Sequence, residues 1–424
     1  MDKFIIEGPT PLQGTIPISG SKNAALPLMA ASLLADGPTH ITYVPKLKDI
    51  YTFNNVLRAT GTRVDFNEGS NELTIDPSSL TQHEAPYELV RKMRASFYML
   101  GALIGRSGKA RVSLPGGCAW GPRPVDLHLK GMQAMGIDID LDEGYVVADT
   151  KNEFVEGGTF TLEPSSVGAT INLVLAAVLR AQKFTIKNAA KEPDAVLLCK
   201  ALQQMGADIE GTGTDTLTIR RVRELKNQTL RNAPDRIETG TFMIAAAMLP
   251  DSEVTLTDCN PEDLGKFPET FVKTGASLRI ESDKIHIKAP KKLPPLSIKT
   301  KIYPGFPTDL QAQWATMMTQ AEGTSHVTDT IYFDRFSYVP ELKRLGADME
   351  INKNTVTIHG ETELEGAAVM STDLRASVSL VLAGLVARGE SEVLRVYHLD
   401  RGYEDLEKKL NAVGARIQRR SQGA

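Results

Sequence analysis

The chain has few of the residues and motifs that mark several common protein classes. It contains three cysteines in 424 residues, widely spaced at 118, 199 and 259. That count and spacing support neither a disulfide framework nor a zinc site. It has no P-loop, no G-x-G-x-x-G segment after a strand, no H-E-x-x-H and no paired C-x-x-C. Nucleotide hydrolysis, dinucleotide chemistry and zinc chemistry therefore lack support.

Long hydrophobic runs and a basic charge excess are also missing. The longest apolar stretches, residues 24–35 and 171–179, fall short of the roughly 20 residues that a membrane-spanning helix needs. The first residues show neither the basic nor the apolar region of a signal peptide. A net charge of −4 and a pI near 6.1 argue against nucleic-acid and membrane-surface partners, which require a basic field. We expect a cytoplasmic protein, and the net charge does not exclude the binding of small anions, which depends on local cations.

The chain has the composition of an ordinary globular protein, with 42% hydrophobic and 24% charged residues. Its length predicts two or three domains. One pattern recurs along the chain: a helix that ends in glycine and is followed by a short strand. The glycines recur 68 to 75 residues apart, at 61, 136, 206, 275, 346 and 414. Glycine at that place fits the left-handed position after a helix.

A second helix, rich in small residues and apolar on most faces, accompanies each of the six copies. These helices begin near residues 22, 94, 168, 238, 308 and 373, and helices apolar all round are buried. We therefore predict two domains of three repeats each, with the helices inside and the sheets outside. The first domain covers residues 22–233, and residues 1–21 join 234–424 in the second. The first strand, Phe4 to Ile6, would pair with the C-terminal domain.

The segment Leu114-Pro115-Gly116-Gly117-Cys118 places a thiol on a glycine-rich loop, and Arg123 follows five residues later. A nearby cation favours the reactive thiolate. An isolated cysteine is more often a buried, inert side chain, but a core position does not need flanking glycines. We interpret Cys118 as functional, and Cys199 and Cys259, which lack such glycines, as inert.

Charged and amide residues occur at the starts of the buried helices, where an apolar helix bundle would not be expected to contain polar side chains. Several helix N-termini that face one cleft would make an anion site. Asp309 fits either a carboxylate that favours the helix dipole or a general base near a substrate hydroxyl. His128 fits either a structural partner of Asp126 or a substrate contact. The residues at these starts, together with arginines in nearby loops, are Lys22, Asn23, Arg94, Arg123, Asp309, Arg335, Asp373, Arg375 and Arg401.

Several segments resemble the UDP-N-acetylglucosamine 1-carboxyvinyltransferase family of enolpyruvyl transferases, over nearly the full length and in family order. They are Ser19-Gly20-Ser21-Lys22-Asn23-Ala24-Ala25-Leu26-Pro27, Lys92-Met93-Arg94-Ala95-Ser96, the Cys118 loop, Ser166-Val167-Gly168-Ala169-Thr170, Pro234-Asp235-Arg236-Ile237-Glu238-Thr239-Gly240-Thr241, Phe306-Pro307-Thr308-Asp309-Leu310-Gln311, Thr372-Asp373-Leu374-Arg375-Ala376-Ser377 and Asp400-Arg401-Gly402-Tyr403.

This resemblance implies an α/β fold of two inside-out, barrel-like domains, each of three βαβαββ units, with a shared substrate cleft. It also implies the transfer of an enolpyruvyl group from phosphoenolpyruvate to the 3′-hydroxyl of UDP-N-acetylglucosamine, with release of phosphate. The family reaction proceeds by addition and elimination through a tetrahedral ketal and needs no metal or organic cofactor. It opens peptidoglycan precursor synthesis and thereby serves cell-wall biogenesis, cell shape and division.

The resemblance assigns roles to individual residues. Lys22, Arg123 and Arg401 would hold the phosphate and carboxylate of phosphoenolpyruvate. Cys118 would act as a general acid or a covalent trap, and Asp309 as the base at the sugar hydroxyl. The residues implied to line the UDP-sugar site or to support the closed state are Asn23, Arg94, Pro124, Val125, Asp126, Leu127, Ser166, Val167, Gly168, Ile331, Arg335, Asp373 and Arg375.

Trp120, Pro122 and Pro164 depart from the residues that some family members carry. A cysteine at 118 implies sensitivity to the epoxide antibiotic fosfomycin. Two alternatives remain: the sister enzyme that uses shikimate 3-phosphate, and a UDP-sugar-binding regulator that has lost catalysis. The first would not be expected to carry the Gly-Gly-Cys loop. A non-enzymatic repeat scaffold is disfavoured, because it has no need of cations at buried helix starts.

Overall fold

The computed structural model describes residues 2–91, 93–115 and 125–421. The chain divides into two compact units. The terminal unit comprises Met1–Ser19 with Pro234–Ala424, and the inserted unit comprises Gly20–Ala233. The sequence prediction placed the first boundary after residue 21.

Strands of two to seven residues occur throughout the described chain. In chain order they are β1 (Asp2–Gly8), β2 (Gln13–Pro17), β3 (Thr39–Thr42), β4 (Arg63–Asn67), β5 (Glu72–Asp76), β6 (Glu84–Ala85), β7 (Lys109–Ser113), β8 (Asp138–Asp142), β9 (Tyr145–Asp149), β10 (Val155–Thr161), β11 (Ala181–Lys187), β12 (Asp208–Glu210), β13 (Thr216–Arg220), β14 (Thr229–Arg231), β15 (Glu253–Thr257), β16 (Ser277–Ile280), β17 (Lys284–Lys288), β18 (Ile298–Lys299), β19 (Thr324–Thr328), β20 (Asp348–Asn352), β21 (Thr355–His359), β22 (Ala368–Met370), β23 (Gly389–Leu394) and β24 (Ile417–Ser421).

Helices separate these strands. The α-helices are α1 (Lys22–Ala31), α2 (Lys48–Ala59), α3 (Tyr87–Val90), α4 (Tyr98–Ser107), α5 (Asp126–Met135), α6 (Val167–Ala177), α7 (Pro193–Gln204), α8 (Arg236–Met248), α9 (Phe267–Phe271), α10 (Gln311–Met318), α11 (Tyr338–Arg344), α12 (Leu374–Val386) and α13 (Leu406–Ala412). Short 3₁₀ segments occur at Ser32–Leu34, Pro77–Ser79, Arg94–Phe97, Pro261–Leu264, Val272–Thr274, Thr308–Leu310 and Val396–Arg401.

Within the described residues the strands form six four-stranded sheets that share one topology. Each sheet begins with two parallel strands, and its other two pairs are antiparallel. The orders in the inserted unit are β14-β3-β5-β4, β6-β7-β9-β8 and β10-β11-β13-β12. Those in the terminal unit are β2-β15-β17-β16, β18-β19-β21-β20 and β22-β23-β1-β24. The predicted α/β fold, built from six copies of one unit, is confirmed.

The chain leaves the terminal unit between a strand and a buried helix and returns at the same point of the repeat. It departs after β2 and comes back before α8, so β2 pairs with the distant β15. In the terminal unit the Asp235 amide donates to the Ser19 carbonyl at 2.8 Å. In the inserted unit the Ser21 amide donates to the Ala233 carbonyl at 2.7 Å. The N-terminal strand β1 lies between β23 and β24 in the last sheet.

Each unit has three buried helices: α1, α4 and α6 in the inserted unit, and α8, α10 and α12 in the terminal unit. Residues 237–248 of α8 are all buried, as are all eight residues of α10. Small residues permit close packing of these helices. A Cβ atom at Gly101 of α4 would collide with the backbone oxygen of Asn172 in α6. Burial of these apolar helices beneath half-exposed sheets provides the core of each unit.

The second helix of every repeat ends as the sequence predicts. The glycine that follows it has a positive φ in all six copies, which is the left-handed backbone that glycine adopts without strain. These are Gly61, Gly136, Gly206, Gly275, Gly346 and Gly414.

Residues 2–91, 93–115 and 125–421 contain neither a membrane-spanning helix nor a metal-ligating cluster. No helix there is long and apolar enough to cross a membrane. No group of three or more histidine, cysteine, aspartate or glutamate side chains there is placed to hold a metal ion.

Candidate active site

Asp309 is the centre of a charged cluster in the terminal unit. It lies in the 3₁₀ segment Thr308–Leu310 that leads into α10. Its Oδ1 is 2.7 Å from Nη1 of Arg335, and its Oδ2 is 3.2 Å from Nη2 of Arg375. Of the three side chains, Asp309 is the most accessible at 26%, against 12% for Arg335 and 8% for Arg375. The carboxylate is therefore the accessible end of a largely buried ion triad.

Helix capping places Arg375. Asp373 is the N-cap of α12, and its Oδ1 accepts from the amides of Arg375 and Ala376 at 2.8 and 3.1 Å. Its Oδ2 accepts from the Ser337 hydroxyl at 3.0 Å. Because this cap fixes the first turn of the helix, the Arg375 side chain is held facing Asp309. The role that the resemblance implies for Asp373 and Arg375, support of a closed state, stays a prediction.

Buried hydroxyl and amide groups extend the cluster into the helix bundle. Arg375 Nη1 donates to the Tyr403 hydroxyl at 3.2 Å, and that hydroxyl lies 2.9 Å from the Thr241 hydroxyl. Gln313 of α10 donates to Thr241 at 3.2 Å and to the Asp309 carbonyl at 2.9 Å. The three buried helices are thus joined by one polar network. Arg401, two residues before Tyr403, ends the 3₁₀ segment Val396–Arg401 and is half-buried.

The electrostatics of the cluster decide the charge of Asp309. Burial favours the neutral acid, but the positive charges of Arg375, Arg335 and Arg236 outweigh it and hold the pKa of Asp309 well below its ordinary value. Conversely, although burial opposes the charge of Arg375, Asp309 raises the pKa of this guanidinium above its ordinary value. Asp309 is therefore ionised and can accept a proton, while its two arginine partners weaken it as a base.

A second buried carboxylate, Asp329, shapes the loop that carries Ile331. Its Oδ1 accepts from the Thr300 hydroxyl at 2.7 Å and from the Ile331 and Tyr332 amides at 2.9 and 3.1 Å. Its Oδ2 accepts from Thr308, whose hydroxyl also accepts from Arg335 Nη1 at 3.1 Å. The loop with Ile331 and the turn with Asp309 are thus held to one fully buried side chain.

In the inserted unit, Lys22 is the first residue of α1 and forms an ion pair. Its Nζ lies 2.9 Å from Oδ2 of Asp49, and the two side chains are 12% and 5% exposed. Ser21 caps the helix by accepting from the Ala24 amide at 3.2 Å. Asn23 is exposed at the same helix end. Lys22 is thus fixed at a helix N-terminus, where partial positive charge adds to its own.

Three other predicted binding segments of the inserted unit stand at the starts of helices. Arg94 is half-buried and opens the 3₁₀ segment that leads into α4. Val125, Asp126 and Leu127 form the start of α5. Ser166 caps α6 by accepting from the Ala169 amide at 3.2 Å, so Val167 and Gly168 lie in its first turn. Free backbone amides at such positions attract anions.

His128 has a structural partner, but it is not Asp126. Its Nδ1 lies 3.0 Å from Nδ2 of Asn172, and its ring packs edge-on against Phe97 at 5.3 Å between centroids. Asp126 instead pairs with Lys130 at 3.2 Å on the exposed side of α5. Burial and the charge of Arg94 lower the pKa of His128 to about 3, against a smaller opposing effect of Asp126. The imidazole is therefore neutral at physiological pH.

Three predicted site residues, Cys118, Arg123 and Pro124, lie outside the described residues. The other two cysteines are buried. Burial raises the pKa of the Cys199 thiol to about 12 and that of Cys259 to about 11. Both thiols are therefore protonated and unreactive at neutral pH, in agreement with their interpretation from sequence.

Sequence reasoning missed Asp49, Asp329 and Asn172. Asp49 looks like an ordinary acidic residue in the first turn of an amphipathic helix, and Asp329 follows a strand without any motif. Asn172 did carry a signal, because it is an amide in the otherwise apolar run of α6. A buried amide without partners costs free energy, so its presence indicated a polar partner on a neighbouring helix.

Comparison with known proteins agrees with this architecture. The model of the EPSP synthase (3-phosphoshikimate 1-carboxyvinyltransferase) family matches residues 6–410. A UDP-N-acetylglucosamine 1-carboxyvinyltransferase of Chloroherpeton thalassium is 51% identical over 422 residues, covering 99% of this chain and 98% of the relative. One from Desulfosudis oleivorans is 48% identical and covers 99% of both chains.

Solved structures show the same fold. The enolpyruvyl transferase NikO from Streptomyces tendae is 25% identical with a TM-score of 0.89, covering 99% of this chain and 98% of its own. An EPSP synthase from Acinetobacter baumannii is 19% identical with a TM-score of 0.78, covering 99% and 100%. The resemblance found in the sequence is confirmed: the chain belongs to the UDP-N-acetylglucosamine 1-carboxyvinyltransferases, a group of enzymes within the EPSP synthase family.

Proposed function

We propose that this chain transfers the enolpyruvyl group of phosphoenolpyruvate to the 3′-hydroxyl of UDP-N-acetylglucosamine and releases phosphate. The observation that carries the proposal is identity of about half of all residues, over nearly the full length, with relatives that bear this activity in their name. The ionised Asp309 and its arginines supply groups that this chemistry needs. The reaction would take place in the cytoplasm, as the first committed step of peptidoglycan precursor synthesis.

The reaction is an addition followed by an elimination. The 3′-oxygen bonds to C2 of phosphoenolpyruvate while C3 gains a proton, which gives a tetrahedral ketal. C3 then loses a proton, the bond from C2 to the phosphate oxygen breaks, and inorganic phosphate leaves. Two protein groups must therefore exchange protons with the substrates, one at the hydroxyl and one at C3.

Asp309 is our candidate for the base at the 3′-hydroxyl. It is ionised and more exposed than its two arginine partners. The arginines that stabilise its charge also weaken it as a base, and anionic substrate oxygens would compete for the same guanidinium groups. We infer that substrate binding draws Arg335 or Arg375 away from Asp309 and so raises its basicity when the hydroxyl is present.

Cys118 is our candidate for the acid at C3, or for a thiol that holds phosphoenolpyruvate covalently. Lys22, Arg123 and Arg401 would bind the phosphate and carboxylate of phosphoenolpyruvate. The UDP-sugar would contact Asn23, Arg94, residues 124–127 and 166–168, and Ile331. A thiol in that role would be alkylated by fosfomycin, and mass spectrometry after treatment in the presence of UDP-N-acetylglucosamine should find the adduct on Cys118.

The test is release of phosphate by the purified chain, with UDP-N-acetylglucosamine or shikimate 3-phosphate as acceptor, beside a Cys118→Ala variant. We expect release that depends on the UDP-sugar and that the variant reduces. Release with shikimate 3-phosphate alone would move the chain to the sister reaction, which the comparisons do not favour. Binding of UDP-N-acetylglucosamine without release from either acceptor would identify an inactive regulator, although Lys22, Cys118, Asp309 and Arg401 are all present.

A further inference from the structure

Asn172 is a fully buried amide in the middle of α6. Its Oδ1 accepts from the Gly101 amide at 2.7 Å, and its Nδ2 donates to the Phe97 carbonyl at 2.9 Å. Phe97 and Gly101 are the ends of one helical turn at the junction of the 3₁₀ segment with α4. The side chain therefore joins α6 to the short segment that begins with Arg94.

The second proton of Nδ2 is directed at His128. The orientation of the amide is fixed, because Gly101 supplies a donor and Phe97 supplies an acceptor. Nδ2 can only donate, so Nδ1 of His128 must accept at 3.0 Å. The proton of this neutral imidazole is consequently on Nε2. A ring held by such a contact has a fixed tautomer and orientation.

The contact also places His128 beside the start of α6. A Cβ atom at Gly168 would lie 3.3 Å from Cε1 and 3.4 Å from Nε2 of His128. These distances leave little space for a side chain, so Gly168 allows the ring to approach the first turn of α6. His128 is itself in the first turn of α5, directly after Val125, Asp126 and Leu127.

One buried side chain thus touches or aligns three separate segments: the turn after Arg94, the start of α5 and the first turn of α6. These are three of the segments for which the family resemblance implies UDP-sugar contacts. We propose that Asn172 is a positioning residue for the UDP-sugar site, which sets the relative placement of these segments and the Nε2–H tautomer of His128. The inference rests on the proposed function for the identity of the ligand.

The experiment uses the full chain with two substitutions. Asn172→Asp keeps the shape but replaces the donor to Phe97 and His128 by an acceptor, and Asn172→Ala removes the amide with less risk to folding. Thr170→Val is the matched control. Thr170 lies in the same helix, is equally buried, and loses one hydrogen bond, from the Ala190 amide at 3.0 Å.

Two quantities are measured: the dissociation constant for UDP-N-acetylglucosamine alone, by calorimetry, and the His128 imidazole nitrogen signals, by NMR of ¹⁵N-histidine-labelled protein. A His128→Gln variant assigns the signals. We expect the wild type to show an Nε2–H signature. Asn172→Asp should move it to the Nδ1–H or protonated form. Both Asn172 variants should weaken binding at least tenfold, while Thr170→Val stays within twofold of the wild type.

Several outcomes overturn the inference. It is wrong if the wild type shows an Nδ1–H signature, or if a folded Asn172 variant binds the UDP-sugar within twofold of the wild type. It is also wrong if Thr170→Val weakens binding as much, because the effect is then general loss of packing. A wild type that has the Nε2–H signature but binds no UDP-sugar would instead contradict the proposed function.

Discussion

The two units are built from the same repeat, but the polar networks that connect their helices differ in charge. In the inserted unit a neutral amide, Asn172, links α4, α5 and α6 through hydrogen bonds. In the terminal unit a charged triad of Asp309, Arg335 and Arg375 extends through Tyr403 into the bundle. The neutral network requires little desolvation of charge, whereas loss of one partner from the charged network leaves a buried charge uncompensated. The first suits positioning, and the second suits proton transfer.

Removing the carboxylate of the charged network should have the largest effect. Asp309→Asn keeps the shape but removes the proposed base, and general bases contribute about 10²- to 10⁴-fold to rate. We expect kcat to fall by a factor in that range in steady-state phosphate release. Binding of UDP-N-acetylglucosamine should change far less. A variant that keeps more than a tenth of wild-type kcat would show that Asp309 is not the base.

The two units should lose stability over different ranges of acidic pH. The pKa of His128 is depressed from its usual 6.5 to about 3, so the unfolded chain binds the proton first, and stability falls as pH drops from about 6.5 towards 3. The pKa of Asp309 is depressed below its usual 3.8, so its contribution is present above that value and is lost only at lower pH. We expect hydrogen exchange to detect opening of the inserted unit first.

The control for this prediction is His128→Gln, which removes the titrating group. Between pH 6.5 and 3, His128→Gln should lose less stability than the wild type does. This difference from the wild type should be larger than the corresponding difference for Asp309→Asn. Simultaneous opening of both units at every pH, with no change in His128→Gln, would contradict the contrast drawn between the two networks.

The close helix contact around Asn172 predicts a moderate effect on folding. In Gly101→Ala the new Cβ would overlap the backbone of Asn172, and such overpacking costs about 1–3 kcal/mol. Thermal and denaturant unfolding should show this loss. The control is Ala102→Gly in the same helix, which measures the ordinary cost of altering α4.

The smallest effect is expected for the exposed pair near His128. Asp126→Asn removes the ion pair with Lys130, and pairs of this spacing contribute about 0.3–0.5 kcal/mol. The free energy of unfolding should change by no more than that, and His128 should keep its tautomer. A change in the imidazole nitrogen signals of His128 on this substitution would show that Asp126 is a partner of His128 after all.

The repeat, the buried helices and the glycine after each second helix could be predicted from the sequence, because periodicity and helix-stop chemistry are local. The partners inside the site could not. The sequence predicts Asp309 as a carboxylate at a helix start. Whether it stabilises the helix or acts as a base depends on Arg335 and Arg375, which contact it from distant segments of the chain. For His128 the sequence leaves open a structural pairing with Asp126 or a substrate contact, whereas its buried partner, Asn172, comes from another helix.

The most direct test of the account is the reaction run in D₂O with phosphoenolpyruvate and UDP-N-acetylglucosamine, followed by mass spectrometry of the nucleotide-sugar product. Addition of a deuteron at C3 and later loss of a proton predict an enolpyruvyl ether that carries deuterium in its methylene group. We expect this labelled product in the wild type and a strongly reduced amount in Asp309→Asn. An unlabelled enolpyruvyl product, or phosphate release without any nucleotide-sugar ether, would contradict it.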